Sequence, residues 1–161
     1  MACGMFAFLS LASGIFAFAA AAVIGLVFHV MGLRKTRKQL LAVAILAVRF
    51  ILVAILTPSL AGHASLKAAS FPQFFDALIA VLGWPISSSF LSALILNLPA
   101  LVTVGIMLWK RPPANDRMWF LVTLVVWSLG QAVSIAYGRA VGNLSSRYLD
   151  LFAIGILVNF A

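Results

Sequence analysis

The hydrophobic pattern along the chain consists of long apolar runs that are separated by short polar or basic turns. The first run, residues 5–30, holds no charged side chain and is longer than the ~7–15-residue apolar core of a signal peptide, so we expect a retained membrane helix. Further runs cover about residues 39–57, 86–109 and 119–137, and each approaches the ~20 residues that cross a hydrocarbon core. The pattern therefore predicts about four full spans.

Two shorter apolar segments differ from these four. Residues 74–82 are followed by residues 83–85, where Trp84 stands before a proline. The position before a proline disfavours helix, and tryptophan prefers the headgroup boundary, so this segment is interpreted as an interfacial or re-entrant helix. Residues 148–161 begin a fifth helix that is too short for an ordinary crossing, and a truncated span is expected. The predicted fold is an all-α polytopic transmembrane helix bundle that forms one domain over residues 1–161.

Composition supports a lipid environment. The chain has 161 residues, of which 65% are hydrophobic and 9% charged, whereas soluble domains are about half apolar and about a quarter charged. Three acidic and eleven basic residues cannot cover the surface of a soluble domain of this length. The formal charge of +8 is concentrated in short clusters between the apolar runs, so we expect no nucleic-acid partner.

The basic clusters predict an orientation in the membrane. Residues 34–38 and 110–117 hold seven of the basic side chains, and the positive-inside rule assigns such clusters to the cytoplasm. Two predicted crossings separate them, so both assignments agree. We therefore expect a multi-pass protein of the bacterial inner membrane with its N-terminus outside and with residues 58–73 and 139–147 also outside.

Arg49 lies in the middle of the second predicted span. Insertion scales assign such an arginine a penalty of about 2.5–3.5 kcal/mol, so the side chain should face protein rather than lipid. Its partner could be Asp76, Asp150, backbone carbonyls beside Pro99, or an anionic ligand. Two roles stay open: a guanidinium satisfied by neighbouring helices, and a site for a substrate or lipid phosphate.

Small residues recur in the fourth predicted span. Gly130, Ser134 and Gly138 repeat every four residues, which brings them to one helix face and permits close backbone approach. A helix-packing seam is the favoured interpretation, and a ligand groove is the alternative.

The third predicted span is polar for a helix in contact with lipid, and it should therefore lie inside a bundle. Its polar residues are Ser87, Ser88, Ser89, Ser92, Asn97 and Thr103. Asn97 would become a candidate site residue only if one pocket also contained Arg49.

The second outer loop carries Arg139, Arg147 and Tyr148 on the side that the positive-inside rule keeps poor in basic residues. The short loop confines both arginines to the depth of lipid phosphates. A planar guanidinium matches phosphate oxygens, and the ring of Tyr148 could cover the same headgroup. The alternative is that the arginines anchor helix ends in anionic lipid, or that Arg147 pairs with Asp150.

Catalytic and metal-binding signals are few in this sequence. Cys3 is the single cysteine, and His29 and His63 are isolated from other ligand types, so we expect no metal site and no cofactor. Phosphate-binding loops, hydrolase elbows and dinucleotide fingerprints do not occur. We expect no complete catalytic apparatus in this chain.

Several short motifs carry a resemblance. In chain order they are Leu82-Gly83-Trp84-Pro85, the proline-containing span, Trp127 and Gln131, Ala136-Tyr137-Gly138-Arg139, and Ser146-Arg147-Tyr148-Leu149-Asp150. Together they resemble the later part of bacterial polytopic inner-membrane proteins, some of which look like type-C glycosyltransferases or polysaccharide enzymes. The resemblance implies helices around a polyisoprenyl-phosphate sugar donor. Type-C enzymes keep a catalytic acid in the first outer loop, and Asp76 does not map onto that motif.

Two functional hypotheses result. The first is a partial glycan-related membrane protein that binds a lipid-linked phosphate, with membrane lipids as its partners. The second is a small accessory subunit packed against a larger respiratory, photosynthetic or transport complex, which would bury the small-residue seam and the fifth helix against other membrane chains. A small transporter is the weakest alternative because an acidic intramembrane pair and an inverted repeat are lacking.

Overall fold

The computed structural model of the protein describes residues 14–56, 61–141, 153, 155 and 156. Within this part of the chain the regular structure is helical. It comprises a short 3₁₀ helix, Ala61–Leu66, and five α-helices: α1 (Ile15–Val30), α2 (Arg37–Leu56), α3 (Phe71–Gly83), α4 (Phe90–Lys110) and α5 (Met118–Gly138).

Three of these helices, α2, α4 and α5, are long and apolar enough to cross a membrane. The prediction of a helical membrane protein is thereby confirmed. The count of about four full spans is not confirmed, because the described part of α1 has only 16 residues and residues 5–13 of that predicted span lie outside the described chain. The predicted fifth span, residues 148–161, lies almost wholly outside it.

Helix α3 has 13 residues, about 20 Å at ~1.5 Å per residue, which is shorter than the ~30 Å hydrocarbon core. It begins three residues before the predicted start. The hydroxyl of Ser70 accepts from the amide of Gln73 (3.4 Å), and the side-chain oxygen of Gln73 accepts from the amide of Ala69 (2.8 Å). This Ser-x-x-Gln arrangement resembles a capping box, and it fixes the helix start where hydrophobicity alone did not.

The chain divides into two compact units. Unit 1 comprises residues 1–58 and 106–127, and unit 2 comprises residues 59–105 and 128–161. Helices α4 and α5 therefore each contribute one part to each unit.

Unit 1 is built on an antiparallel pair, α1 and α2. Near the beginning of α1, the ring of Phe16 lies 6.0 Å from that of Phe50, between centroids. Further along, the side-chain amide of Gln39 donates to the carbonyl of Gly25 (2.8 Å). A Cβ atom at Gly25 would lie 2.6 Å from Cγ2 of Val43, so the absence of a side chain permits this close approach.

The turn between α1 and α2 is short and well bonded. Gly32 adopts a φ of +76°, a conformation that glycine takes without strain. The amide of Leu33 donates to the carbonyl of Phe28 (2.9 Å). The hydroxyl of Thr36 accepts from the amide of Gln39 (3.2 Å), which caps the start of α2.

The beginning of α5 completes unit 1. Trp119 is only 3% exposed and packs edge-to-face on Phe28, with 4.8 Å between ring centroids. Its indole N–H donates to the carbonyl of Pro112 (3.4 Å). The carboxylate of Asp116 accepts from the amide of Met118 (2.9 Å), so this acid caps α5.

Unit 2 is centred on α3 and the second part of α5. Val81, Ala132 and Ile135 form its buried cluster, with Leu78, Leu82 and Trp84 packed around them. The 3₁₀ helix and the residues just after it are joined to the end of α5 through main-chain bonds. The amide of Ala68 donates to the carbonyl of Tyr137 (2.8 Å), and the amide of Val141 donates to the carbonyl of Leu66 (3.3 Å). These bonds satisfy a carbonyl that the end of a helix leaves unpaired.

Candidate functional site

Arg139 follows directly after α5 and lines a pocket in unit 2. Its amide donates to the carbonyl of Ile135 (2.9 Å), which continues the helical bonding by one residue. The side chain is half-buried. The pocket has a volume of about 90 Å³ and is lined by Ala77, Ala80, Val81, Ile135, Ala136, Arg139 and Ala140.

Small side chains create this pocket. Ala77 and Ala80 come from α3, and Ala136 and Ala140 from α5 and the turn after it. A methyl group at each of these positions leaves space where larger side chains would interdigitate. Of the described residues that line the pocket, Arg139 alone carries a charge. The result is an apolar pocket with Arg139 at its wall.

The guanidinium has unused hydrogen-bonding capacity. An arginine carries five N–H donors in a planar fork, and no described carboxylate forms an ion pair with Arg139. A cation beside the end of a helix is stabilised by the partial negative charge of the last carbonyls. That effect accounts for a basic residue at this position, but not for the hollow beside it.

The size of the pocket limits what it can hold. Sites that enclose a whole small molecule have volumes of about 300–1,000 Å³, and this pocket has about 90 Å³. It can hold a group of a few heavy atoms, such as a phosphate, or a short piece of an acyl or isoprenyl chain. The rest of such a ligand would lie in the surrounding lipid.

A second pocket of unit 2 has a volume of about 30 Å³ and borders Asn97, Ser128 and Gln131. This is room for about two water molecules. The side-chain amide of Asn97 donates to the carbonyls of Leu82 (3.0 Å) and Ala93 (2.8 Å), so it joins the end of α3 to α4. Arg49 belongs to unit 1 and is not among the described residues that line this pocket. Asn97 therefore acts as a structural residue in this region.

Arg49 is half-buried on α2, a helix that has no buried residue. Among the described residues its side chain has no hydrogen-bond or ion-pair partner. Asp76, one of its predicted partners, is exposed on α3 in unit 2, and Asp150 lies outside the described chain.

The predicted small-residue seam on α5 comprises Gly130, Ser134 and Gly138. Ser134 is exposed, and a Cβ atom at Gly138 would have no described atom within 4 Å. The buried face of this part of the helix includes Ala132 and Ala136, which are 5% and 1% exposed. These alanines are therefore part of the buried face of α5, and the packing role of the seam stays a prediction.

A second stripe of small residues near the end of α5, two members of which line the Arg139 pocket, was not predicted from the sequence. Ala132, Ala136 and Ala140 also repeat every four residues, two positions after the members of the seam. The sequence contains this repeat, but the repeat could not be distinguished from the seam, because both stripes consist of small residues at the same spacing.

Two of the predicted anion-binding residues, Arg147 and Tyr148, lie outside the described chain. Within the described residues no group of three His, Cys, Asp or Glu side chains is placed to hold a metal ion. Of the four predicted lipid-binding residues, Arg139 is the one that lines a pocket in the described structure.

Comparison of the chain with protein-family models, with curated proteins and with solved structures finds no match.

Proposed function

We propose that this chain is a multipass protein of the bacterial inner membrane that binds the phosphate of a membrane lipid of the polyisoprenyl-phosphate class. Arg139 is the principal binding residue, and Arg147 and Tyr148 contribute to the same site from the following segment. The class of protein is glycan-related, and the chain supplies the binding function rather than a complete catalytic apparatus.

The observation that carries this proposal is the half-buried Arg139, which lines an apolar pocket of about 90 Å³. A lipid-linked phosphate combines an anion that suits a planar fork with a hydrocarbon chain that suits an alanine-lined hollow. A soluble anion would not use the apolar part of the pocket.

The proposed orientation supports this ligand. Helix α5 has 21 residues, about 31 Å at ~1.5 Å per residue, so its two ends reach opposite faces of a bilayer. If residues 110–117 lie in the cytoplasm, Arg139 lies at the outer face. At that depth the lipid phosphates are within reach of its side chain.

Lipid mass spectrometry tests the binding site. The wild type, Arg139→Lys and Arg139→Ala are purified in mild detergent, and the polyisoprenyl phosphate retained per protein is measured. We expect about a tenfold loss in Arg139→Ala and a partial loss in Arg139→Lys, because lysine keeps the charge but lacks the bidentate fork. Arg117→Lys is the matched control and should retain the wild-type amount. Equal lipid content in all four proteins would contradict the proposal.

Labelling tests the orientation separately. In a Cys3→Ser background, single cysteines replace Ser65 and Asn115, both of which are exposed. An impermeant thiol reagent added to intact cells should modify position 65 and leave position 115 unmodified. The opposite pattern would show that the proposed orientation is inverted.

A second candidate function, the accessory subunit, is favoured by a different observation. Helix α2 has 20 residues without a buried one, and it carries Arg49 without a described partner. A subunit of a larger membrane complex would satisfy both features through a neighbouring chain. Native mass measurement after mild extraction tests this: a fixed stoichiometric assembly supports the subunit, and a lone chain contradicts it.

A further inference from the structure

Arg49 lies deep within α2. It is roughly 18 Å from the helix start at Arg37 and roughly 10 Å from the last described helical residue, Leu56, at ~1.5 Å per residue. Because α2 is about as long as a hydrocarbon core is thick, neither end of the helix brings this guanidinium to the level of the headgroups directly.

The usual direction of a helical side chain places the guanidinium of Arg49 still further from the nearer end of α2. In an α-helix the Cα–Cβ bond tilts toward the helix N-terminus, and long side chains extend over the preceding turn. Arg49 therefore extends away from the nearer end of α2 and toward its middle. Snorkelling to the nearer interface, which relieves many membrane arginines, is unfavourable at this position.

Among the described residues of α1 and α2, no side chain at this depth is a hydrogen-bond acceptor. Helix α1 contains a single polar side chain, His29, and the one uncharged polar side chain of α2 is Gln39. Both belong to the far end of the helix pair, where Gln39 already donates to Gly25. The half-buried residues next to Arg49 on α2, Phe50 and Val53 among them, are apolar.

The chain is also short of negative charge. It has three acidic residues, and none belongs to α1, α2, α4 or α5. Asp116 caps α5 from the preceding turn, and Asp76 is exposed on α3 in unit 2. A second copy of this chain would present the same four helices, α1, α2, α4 and α5. None of them carries a carboxylate that could pair with Arg49.

We propose that α2 is a docking surface for a transmembrane helix of a different protein, and that this helix carries an aspartate or glutamate that pairs with Arg49 inside the membrane. Large apolar side chains on the exposed part of α2 surround the contact: Ile45, Val48, Leu52 and Ile55. They provide the packing, and the buried charge pair fixes the register. The inference rests on the accessory-subunit candidate and is independent of lipid binding at Arg139.

A designed peptide tests the charge pairing directly. The probe is a leucine-rich transmembrane peptide of about 20 residues with lysines at both ends and one central glutamate, and its partner peptide has leucine at the centre. The full chain is labelled at Cys3 with an acceptor fluorophore and reconstituted in phosphatidylcholine vesicles. Energy transfer from labelled peptide reports association. We expect the glutamate peptide to associate about tenfold more tightly than the leucine peptide.

Variants assign this preference to Arg49. Arg49→Leu should remove it, and Arg37→Leu, which deletes an exposed arginine at the start of the same helix, should keep it. Arg49→Glu should prefer a peptide with a central arginine, which is a gain that misfolding cannot produce. Equal binding of both peptides by the wild type would overturn the proposal, as would a preference that survives Arg49→Leu.

The remaining alternative is a partner within the chain. If Asp76→Asn or Asp150→Asn creates a peptide preference that the wild type lacks, Arg49 is already paired internally and the docking surface is excluded. A chain that extracts in a fixed assembly but shows no glutamate preference would keep the accessory role and lose the Arg49 contact.

Discussion

The helix pair of unit 1 and the helices of unit 2 are joined by different kinds of contact. In unit 1, α1 and α2 approach closely at Gly25, and a single side-chain amide, that of Gln39, bonds across the pair. In unit 2, Asn97 bonds two carbonyls. A hydroxyl cluster also lies at the start of α4, where the side-chain oxygens of Ser87 and Ser92 are 2.7 Å apart.

This difference follows from the lengths of the helices. Membrane helices gain little from the hydrophobic effect when they associate, so close packing and hydrogen bonds hold them together. Long helices such as α2 offer many packing positions. The 13-residue α3 offers few, and its end leaves backbone carbonyls that need hydrogen-bond partners. Asn97 supplies one of those partners at Leu82.

Among substitutions that test this difference between the two units, the largest loss of stability is expected in the small core of unit 2. Ile135→Ala removes a side chain that is 7% exposed and packs with Val81 and Ala132, and it should lower the free energy of unfolding by about 3 kcal/mol. Val133→Ala, at a position that is 45% exposed, is the control and should change little. Unfolding in sodium dodecyl sulphate, followed by circular dichroism, measures both. Equal losses would show that the described core does not stabilise unit 2.

The second largest loss of stability is expected where α1 and α2 approach closely in unit 1. Gly25→Leu places a branched side chain where Cγ2 of Val43 lies, and the stiff valine cannot yield easily. We expect a loss of about 2 kcal/mol. Gly105→Leu is the matched control, since a Cβ atom there meets no described atom within 4 Å. The same unfolding assay applies, and a Gly25→Leu variant as stable as the control would mean that α1 and α2 are not in close contact at this point.

Removal of the Asn97 amide should have a smaller effect. Asn97→Leu leaves the carbonyls of Leu82 and Ala93 without this donor, and a loss of about 1.5 kcal/mol is expected for a polar contact between membrane helices. Ser88→Leu, a polar-to-leucine change at an exposed position, serves as the control. Hydrogen exchange at the end of α3 should increase in Asn97→Leu alone. Unchanged exchange would contradict the joining role of this side chain.

The smallest effect concerns the cap of α5 in unit 1. Asp116→Ala removes the acceptor for the amide of Met118 and should lower the stability by about 1 kcal/mol. Asp116→Asn keeps a capping oxygen and should stay close to the wild type. Thermal unfolding in detergent distinguishes the two. If both variants lose the same stability, the charge of Asp116 matters and the cap does not.

Much of the helical pattern could be predicted because apolar runs must be long to cross a membrane. The starts of α4 and α5 were predicted to within four residues, and the short α3 was recognised from Trp84 and Pro85. The start of α3 was placed too late, at residue 74, because its Ser-x-x-Gln cap lies before the apolar run. The capping role of Asp116 was not predicted from the sequence, because an acid among basic residues can equally balance their charge.

The sequence by itself determined that this is a helical membrane protein, because a chain this apolar and this poor in charge can be covered only by lipid. It also marked Arg49 and Arg139 as basic residues in unusual places. Only the tertiary structure decided which stripe of α5 is buried and that alanines leave a pocket beside Arg139. The physical reason is that two stripes of small residues have the same spacing, so their difference lies in which neighbouring helix each one meets.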